Sequence, residues 1–168
     1  MAVRNMTKKR SLQEDDKMAR AKYQVLVIPY YIDNGNAEYC IFRRSDMNIW
    51  QFIAGGGEDF DESVLLSAKR EANEEANIDF NNEYIRLDTV SSIPASCFRD
   101  AREIWGDDCY VVPEYCFGVR VDGKEILLSE EHAEYRWCSY EDAVKHLKYD
   151  SNRTALWELD CRIKKRFF

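Results

Sequence analysis

The sequence predicts a single domain of mixed α/β class, and three observations support this. The chain has 168 residues, which fits one domain on the usual scale of roughly 100 to 200 residues. Hydrophobic residues make up 45% and charged residues 33%, the balance of a chain that buries a core. Strand-like and helix-like segments alternate without an internal repeat. We therefore expect one main active or binding site.

The first segment, residues 1–20, is polar and rich in charge and shows no clear period. We interpret it as an N-terminal extension, mobile or helical, that carries no chemistry. The domain itself is expected to cover residues 21–168.

The next segments predict a β-hairpin followed by a glycine-rich turn of chain. Residues 23–32 are rich in Val, Ile and Tyr, and residues 33–36 (Asp-Asn-Gly-Asn) supply turn residues before a second strand over residues 37–43. A short apolar run over residues 50–54 then meets Gly55-Gly56-Gly57. Glycines permit unusual backbone angles and close approach, so this segment predicts a functional loop or a bulge.

A helix is predicted after the glycines, because Ser63 is a good N-cap and Asn77 suits the left-handed position just beyond Ala76. Ser139 and Asp142 resemble a capping box for a second, short helix. Leu156, Leu159 and Ile163 form the apolar stripe of a last helix. Further strands are predicted over residues 84–93, 110–121 and 135–138.

Composition and charge exclude several function classes. The net charge of −7 argues against nonspecific nucleic-acid binding. Six cysteines without a Cys-x-x-Cys pair and only two histidines cannot build a zinc ribbon or finger, so we expect reduced, mostly buried thiols. The longest apolar stretch, residues 25–32, is too short to span a membrane. We expect a soluble, cytoplasmic protein with no membrane partner, and the oligomeric state stays open.

The predicted helix after Ser63 carries clustered acidic residues. At about 100° per residue, Glu71, Glu74 and Glu75 project within one arc of about 100°. Like charges at these spacings destabilise a helix, most of all near its C-terminal end. Three carboxylates suit Mg²⁺ or Mn²⁺, and the alternative is a solvated acidic face. The adjacent, packing face is expected to contain Leu65, Ala68, Ala72 and Ala76.

The spacing of these residues resembles the Nudix box of the Nudix hydrolase family. Gly56 is followed by Glu62, then by Arg70-Glu71, and the run continues to Ile78. The departure from the pattern is Asn77, which stands where the family has glycine. Asn tolerates left-handed geometry better than other non-glycine residues, so the exchange concerns the helix end and not the metal site.

This resemblance implies an α/β/α sandwich around a mixed sheet and Mg²⁺-dependent hydrolysis of a nucleoside diphosphate linked to another group. It implies that Glu71, Glu74 and Glu75 bind the metal, with Mn²⁺ a possible substitute. Glu62 and Arg70 are expected to form a structural ion pair that holds the loop to the helix.

Further motifs resemble a Nudix branch that contains dihydroneopterin triphosphate and deoxynucleoside triphosphate pyrophosphohydrolases. The motifs are Arg43-Arg44 with Trp50-Gln51, then Glu131-His132 with Tyr135 and Trp137, and finally Ser151-Asn152-Arg153. The branch implies that Glu131 is an additional metal ligand or base. It also implies substrate contacts from Arg43, Ala54, Gly55, Gly56, Ser96 and Phe98.

The choice between the two neighbouring arginines follows from strand geometry. Adjacent residues on a strand point to opposite faces, so only one of Arg43 and Arg44 is expected to reach the phosphates. We expect this residue to be Arg43.

These observations predict an enzyme that cleaves a triphosphate into a monophosphate and pyrophosphate. Two alternatives stay open, a dinucleoside polyphosphate hydrolase and a Nudix module that binds nucleotide or RNA without turnover. The presence of Glu71, Glu74, Glu75 and Glu131 argues against the module, because a binding module is expected to lose such carboxylates.

Overall fold

The computed structural model of the protein describes residues 20–165. The extension expected over residues 1–20 lies outside this range except for Arg20, which is the first residue of the sheet. The described chain forms seven strands, which are β1 (Arg20–Asp33), β2 (Asn36–Arg44), β3 (Trp50–Gln51), β4 (Ile53–Glu58), β5 (Glu83–Pro94), β6 (Val111–Arg120) and β7 (His132–Cys138). Its α-helices are α1 (Val64–Ala76), α2 (Ala101–Trp105), α3 (Tyr140–His146) and α4 (Asp150–Lys164), and a 3₁₀ turn covers Ala95–Cys97.

The seven strands form one mixed sheet in which β1 and β2 separate beyond their shared turn. Next to the turn, where Asn34 and Gly35 have positive φ, Tyr30 pairs with Tyr39. Further along, β1 pairs with β4 and β2 pairs with β3. The other edge of β1 pairs in parallel with β6, and β6 pairs with β5. The segment 50–58 is therefore held between two diverging strands.

Helices cover both faces of this sheet. Alternate residues of β1 face opposite sides: Val25 and Val27 pack with the alanines of α1, whereas Leu26 and Ile28 pack with Leu156 and Leu159 of α4. Both faces of the central strand are thus buried. The arrangement confirms the predicted mixed α/β sandwich.

The three glycines lie in strand β4, and the pairing of β4 with β1 shifts register between Gly56 and Glu58, in agreement with the predicted bulge. None of the three has positive φ, and they leave space for neighbouring side chains. One local expectation differs from the structure: Leu65 was expected on the packing face of α1 but is 39% exposed, whereas Val64 of the same turn packs against the cluster of Ala68 and Ala72. Among residues 20–165, no helix is both long enough and apolar enough to cross a membrane.

Candidate active site

Helix α1 is fixed at both ends by the predicted capping residues. The Ser63 hydroxyl accepts a hydrogen bond from the Leu66 N–H at 3.2 Å. Asn77 adopts the left-handed conformation, with φ of 54°, and its N–H bonds back to the last turn. Ala68 and Ala72 are fully buried against the sheet. These contacts set the rotation of the helix and thereby aim its carboxylates at β4.

Glu71 lies directly over Gly55. A Cβ atom at Gly55 would be 2.1 Å from the carboxyl carbon of Glu71, so only glycine leaves room for this carboxylate. Burial raises the pKa of Glu71 to about 7, Arg70 opposes the rise, and the nearby Glu74 and Glu131 add to it. Arg70 donates to Glu71 at 2.8 Å.

Arg70 joins α1 to the end of β4, but its acidic partner differs from the expected one. Its guanidinium donates to the Gly56 carbonyl at 3.0 Å and to Asp61 at 3.0 Å. Asp61 also accepts from the N–H of Glu58 and from the Ser67 hydroxyl. Glu62 has an exposed side chain. The connecting carboxylate is therefore Asp61, because it lies between the strand end and the helix, whereas Glu62 faces solvent.

The site contains a compact group of potential metal ligands, formed by Glu75, Glu131 and His132. One ligand atom from each lies within 4.8 Å of the others. Glu75 is only 3% exposed, and its Oε2 has no hydrogen-bond partner among the described residues. Burial raises the pKa of Glu75 well above its usual range, and the adjacent Glu131 and Glu71 raise it further.

His132 lies at the start of β7, buried beside Glu75. Its Nε2 is 3.6 Å from the Glu75 carboxylate, and its ring packs on Phe42 with centroids 5.1 Å apart. Burial lowers the pKa of His132, so the imidazole is neutral at pH 7. Neither ring nitrogen has a hydrogen-bond partner among the described residues, so the ring contacts Glu75 without a hydrogen bond to it.

Glu131 reaches this group from the loop before β7, and backbone contacts fix its position. Its carbonyl accepts from the Ser45 N–H at 2.9 Å, and its own N–H donates to the Ser129 hydroxyl at 3.4 Å. The Ser129 N–H donates to the carbonyl of Glu75 at 3.1 Å. The loop is thus tied both to β2 and to the C-terminal turn of α1. The side chain of Glu131 itself is exposed.

Glu74 lies at the rim of the site. Its side chain is 58% exposed, and its carboxylate accepts from Arg70 at 3.3 Å. Of the three helix carboxylates, the structure therefore brings Glu71 and Glu75 close to Glu131 and leaves Glu74 at the edge.

The donor set fits a hard divalent cation. Carboxylate oxygens are the ligands that Mg²⁺ and Mn²⁺ prefer, and a cation would offset the mutual repulsion of Glu71, Glu75 and Glu131. It would also supply the partner that the buried Glu75 Oε2 otherwise lacks.

A cleft with three connected parts extends from these carboxylates. The carboxylate cavity has a volume of about 430 Å³, and its lining includes Gly55, Gly56, Glu71 and Glu131. The inner cavity, of about 260 Å³, is lined by residues that include Gln24, Phe98, Glu114, Tyr149 and Asn152. A third part is lined by residues that include Arg44, Asp46, Glu131 and His132. Ala54 borders all three parts.

The structure brings Arg44 to this cleft, where Arg43 was expected. Arg44 lines both the inner cavity and the third part, and it donates to Asp46 at 2.8 Å. Arg43 instead donates to Glu134 of β7 at 3.1 Å. The pairing of β2 with β7 shifts register between the two arginines. The extra residue lies in β7, so β2 keeps its alternation: Arg44 follows Cys40 and Phe42, which pack on the α1 side of the sheet, and Arg43 follows Tyr39 and Ile41 on the other side.

The structure places the two expected substrate contacts Ser96 and Phe98 differently. Phe98 lines the carboxylate and inner cavities, and so does Cys97, whereas Ser96 is exposed and is absent from both linings. The short 3₁₀ turn rotates Ser96 outward. Phe98 packs edge-on against Trp105 at 5.4 Å, and the Arg20 guanidinium lies 5.1 Å from the Phe98 ring.

Sequence reasoning missed a buried glutamate, a half-buried glutamine and one thiol. Gln24 and Glu114 meet across the parallel strands β1 and β6 and line the inner cavity. A single acidic residue inside the apolar run of β6 was the signal for Glu114. Cys97 gave no signal, and it differs from the expected buried thiols; of the six cysteines, all free, three are buried.

Comparisons with known proteins agree with this fold and site. Residues 22–158 match the family model described as NUDIX domain. A dihydroneopterin triphosphate diphosphatase of Haemophilus influenzae is 27% identical over 134 residues, which cover 79% of this chain and 84% of the relative.

Solved structures show the same similarity. A protein of Listeria monocytogenes described as a candidate Nudix hydrolase has a TM-score of 0.77 and 43% identity, covering 86% of this chain and 96% of its own. The Escherichia coli dihydroneopterin triphosphate pyrophosphohydrolase has a TM-score of 0.68 and 23% identity, covering 85% and 99% of the two chains. The Caenorhabditis elegans Ap4A hydrolase shares the fold with a TM-score of 0.66 and 20% identity, over 87% and 100% of the chains. The chain belongs to the Nudix family and is a hydrolase.

Proposed function

We propose that this protein is a Mg²⁺-dependent pyrophosphohydrolase that converts a triphosphate into a monophosphate and pyrophosphate. The proposal rests on the convergence of Glu71, Glu75 and Glu131 at one end of the cleft, while the inner cavity of about 260 Å³ forms the other end. A triphosphate joined to a flat ring system suits this arrangement, with the phosphates at the carboxylates and the ring in the inner cavity. Candidate substrates are dihydroneopterin triphosphate and the deoxynucleoside triphosphates, in keeping with the relative from Haemophilus influenzae.

Glu71 and Glu75 would hold the cation, and Glu74 at the rim would add a further carboxylate for a second ion or for bound water. When bound, the divalent ion neutralises phosphate charge and lowers the pKa of coordinated water. Mn²⁺ offers the same preference for oxygen ligands.

The remaining steps belong to side chains of the protein. Arg44 binds a phosphate oxygen through its guanidinium, in exchange for part of its contact with Asp46. Glu131 accepts the proton of the attacking water, because its carboxylate is exposed to the cleft and its backbone is fixed. The water oxygen forms a bond to phosphorus while the bond between phosphorus and the bridging oxygen breaks. If water attacks the α-phosphorus, pyrophosphate leaves with the bridging oxygen; if it attacks the β-phosphorus, the monophosphate leaves with that oxygen and the attacked group becomes pyrophosphate.

Positioning depends on Arg70 and Asp61. Their two contacts tie α1 to β4 and keep Glu71 over Gly55. His132 holds Glu75 from the buried side. Neither Arg70 nor His132 needs to contact substrate for this purpose.

The test is the release of pyrophosphate and phosphate from a panel of substrates, with Mg²⁺ and with chelator. The panel contains dihydroneopterin triphosphate, the four deoxynucleoside triphosphates, diadenosine tetraphosphate and ADP-ribose. We expect pyrophosphate from a triphosphate and no release with chelator. Activity on diadenosine tetraphosphate alone would reassign the enzyme to the dinucleoside polyphosphate hydrolases. Binding of a nucleotide without turnover would make it a binding module.

A further inference from the structure

We infer that Asp46 is a positioning residue of the cleft, which holds the Arg44 guanidinium so that one edge of this group stays free for a phosphate of the substrate. The inference rests on the proposed function, since it assigns a residue that prepares the phosphate contact of the same reaction. In this role Asp46 acts through Arg44 and does not itself contact substrate.

The first step is the contact between the two side chains. Arg44 donates from Nε to Oδ1 of Asp46 at 2.8 Å and from Nη2 to Oδ2 at 2.5 Å. Both carboxylate oxygens are used, which is the bidentate arrangement of an arginine and a carboxylate. The side chain of Asp46 is 61% exposed and that of Arg44 is 32% exposed. The pair therefore lies at the surface of the cleft, where a ligand can reach it.

The second step is what this contact leaves free on Arg44. A guanidinium has five N–H groups, and Asp46 uses the one on Nε and one of the two on Nη2. Both N–H groups of Nη1 and the second one of Nη2 remain, and no described residue accepts a hydrogen bond from Nη1. Nη1 and Nη2 form the outer edge of the group, whose parallel N–H bonds match two oxygens of a phosphate. A phosphate can thus bind this edge while the Nε contact with Asp46 persists.

The third step is the place of the pair in the cleft. Arg44 lines both the inner cavity and the third part, and Asp46 lines the third part beside it. Among the described residues that line these two parts, Arg44 carries the only permanent positive charge. Glu131, the proton acceptor of the proposed reaction, lines the third part as well. The orientation of one guanidinium therefore decides how this end of the cleft receives an anion.

The fourth step is the fixed position of Asp46, which lies in the turn between β2 and β3. The preceding Ser45 ties this turn to the loop before β7, because its N–H donates to the Glu131 carbonyl at 2.9 Å. The hydrogen bond from Arg44 lowers the pKa of Asp46, and the backbone N–H groups of Asp46 and Met47 lower it further. The carboxylate is therefore ionised at pH 7 and held by the backbone, so it is the fixed member of the pair.

The fifth step is the carboxylate that attracts Arg44 when Asp46 is absent. The hydrogen bond with Asp46 raises the pKa of Arg44, and the charge of Glu131 adds to the rise, so Glu131 lies within electrostatic range. Without Asp46 the guanidinium can turn toward Glu131, and that pairing would occupy donors that a phosphate needs. Loss of Asp46 should therefore weaken phosphate binding, whereas removal of an anion near a phosphate site would by itself strengthen it. The sign of the effect separates positioning from simple repulsion.

The test is the Michaelis constant of Asp46→Asn for the best triphosphate of the panel, measured on the full chain with Mg²⁺. We expect a rise of roughly threefold to tenfold with kcat changed by less than about threefold, a smaller loss than for Arg44→Ala because the arginine itself remains. In the Arg44→Ala background, Asp46→Asn should not raise the constant further. Asp142→Asn is the matched control, since Asp142 is 60% exposed and pairs with Lys145 on α3, and it should leave the constant unchanged. An unchanged or lower constant in Asp46→Asn would overturn the inference.

A second measurement separates this inference from the proposed function. Calorimetric binding of inorganic pyrophosphate in the presence of Mg²⁺ requires no turnover, and Asp46→Asn should keep the melting temperature of the wild type because the residue is exposed. Weaker binding to Asp46→Asn than to the wild type would support the role of Asp46 even if no triphosphate were hydrolysed. Equal or tighter binding to the variant would overturn the inference and leave the pyrophosphohydrolase standing. A wild type that neither hydrolyses a triphosphate nor binds pyrophosphate would overturn both.

Discussion

The substitution Gly55→Ala provides the sharpest test of how the site is built. The added Cβ would lie 2.1 Å from the Glu71 carboxyl carbon and 2.2 and 2.5 Å from its two oxygens, whereas ordinary contacts begin at 3.4 Å. The carboxylate must therefore retreat by about 1.3 Å, the difference between 3.4 and 2.1 Å. A displacement of about 1 Å at a catalytic group can reduce the rate by about a hundredfold.

The stability of the same variant should change little. Overpacking usually costs about 1–3 kcal/mol, but here the displaced group is a carboxylate whose pKa is raised by burial, so movement toward water recovers part of that cost. We expect the free energy of unfolding to fall by about 1 kcal/mol or less while kcat falls at least about a hundredfold. Urea unfolding and steady-state kinetics with Mg²⁺ measure the two quantities.

Two glycines provide matched controls. At Gly123 an added Cβ meets nothing within 4 Å, so Gly123→Ala should keep both activity and stability. At Gly57 the Cβ would lie 2.2 Å from the Tyr23 ring, which is held by Ser67 and Tyr115, so Gly57→Ala should lose stability first. Full activity of Gly55→Ala would refute the placement of Glu71 in the reaction.

Three further predictions concern the charged groups. Glu75→Gln should lower turnover at least about a hundredfold while the melting temperature of the metal-free protein stays equal or rises, because the raised pKa forces the buried carboxyl to take up a proton on folding and the amide needs none; unchanged turnover would contradict its role. The free energy of unfolding of the metal-free wild type should fall by at least about 3 kcal/mol between pH 4.5 and pH 7, because the folded Glu71 and Glu75 carboxyls, whose pKa values are raised, keep protons that the unfolded chain releases. Urea midpoints from about pH 4 to pH 8 measure this fall, of which Glu71→Gln should remove about 3 kcal/mol; a fall as large as in the wild type would contradict the raised pKa of Glu71. Arg44→Ala should raise the Michaelis constant roughly tenfold to a hundredfold, whereas Arg43→Ala should change it by less than about threefold; the opposite ranking would return the phosphate contact to Arg43.

The capping residues show what local sequence can specify. Ser63 and Asn77 limit α1 to Val64–Ala76 as predicted, because the hydrogen bonds of a cap lie within four residues of it. The same holds for the hairpin turn, where Asn34 and Gly35 take positive φ. The spacing of acidic residues on α1 likewise placed Glu71 and Glu75 on one side of the helix without knowledge of the rest of the chain.

The arginines and the wall residues show where local reasoning fails. Alternation along β2 correctly separated Arg43 from Arg44, but the packing of α1 on the face of Cys40 and Phe42 decided which one lies beside the carboxylates. Glu62 and Asp61 differ by one position, and only the path from β4 to α1 brings Asp61 within reach of Arg70. Ser96 and Phe98 were separated in the same way by a single 3₁₀ turn.

The sequence by itself determined the mixed α/β class, the limits of the main helix and the acidic character of its exposed side, because each depends on residues that are neighbours along the chain. Tertiary structure alone decided which of those carboxylates meet, since the exposed Glu131 comes from a loop more than fifty residues away and raises the pKa of Glu75 only through space. It also placed Gln24 beside Glu114, which are paired across β1 and β6. Burial and charge coupling act over distances of a few ångströms in space, and the order of residues along one chain does not contain those distances.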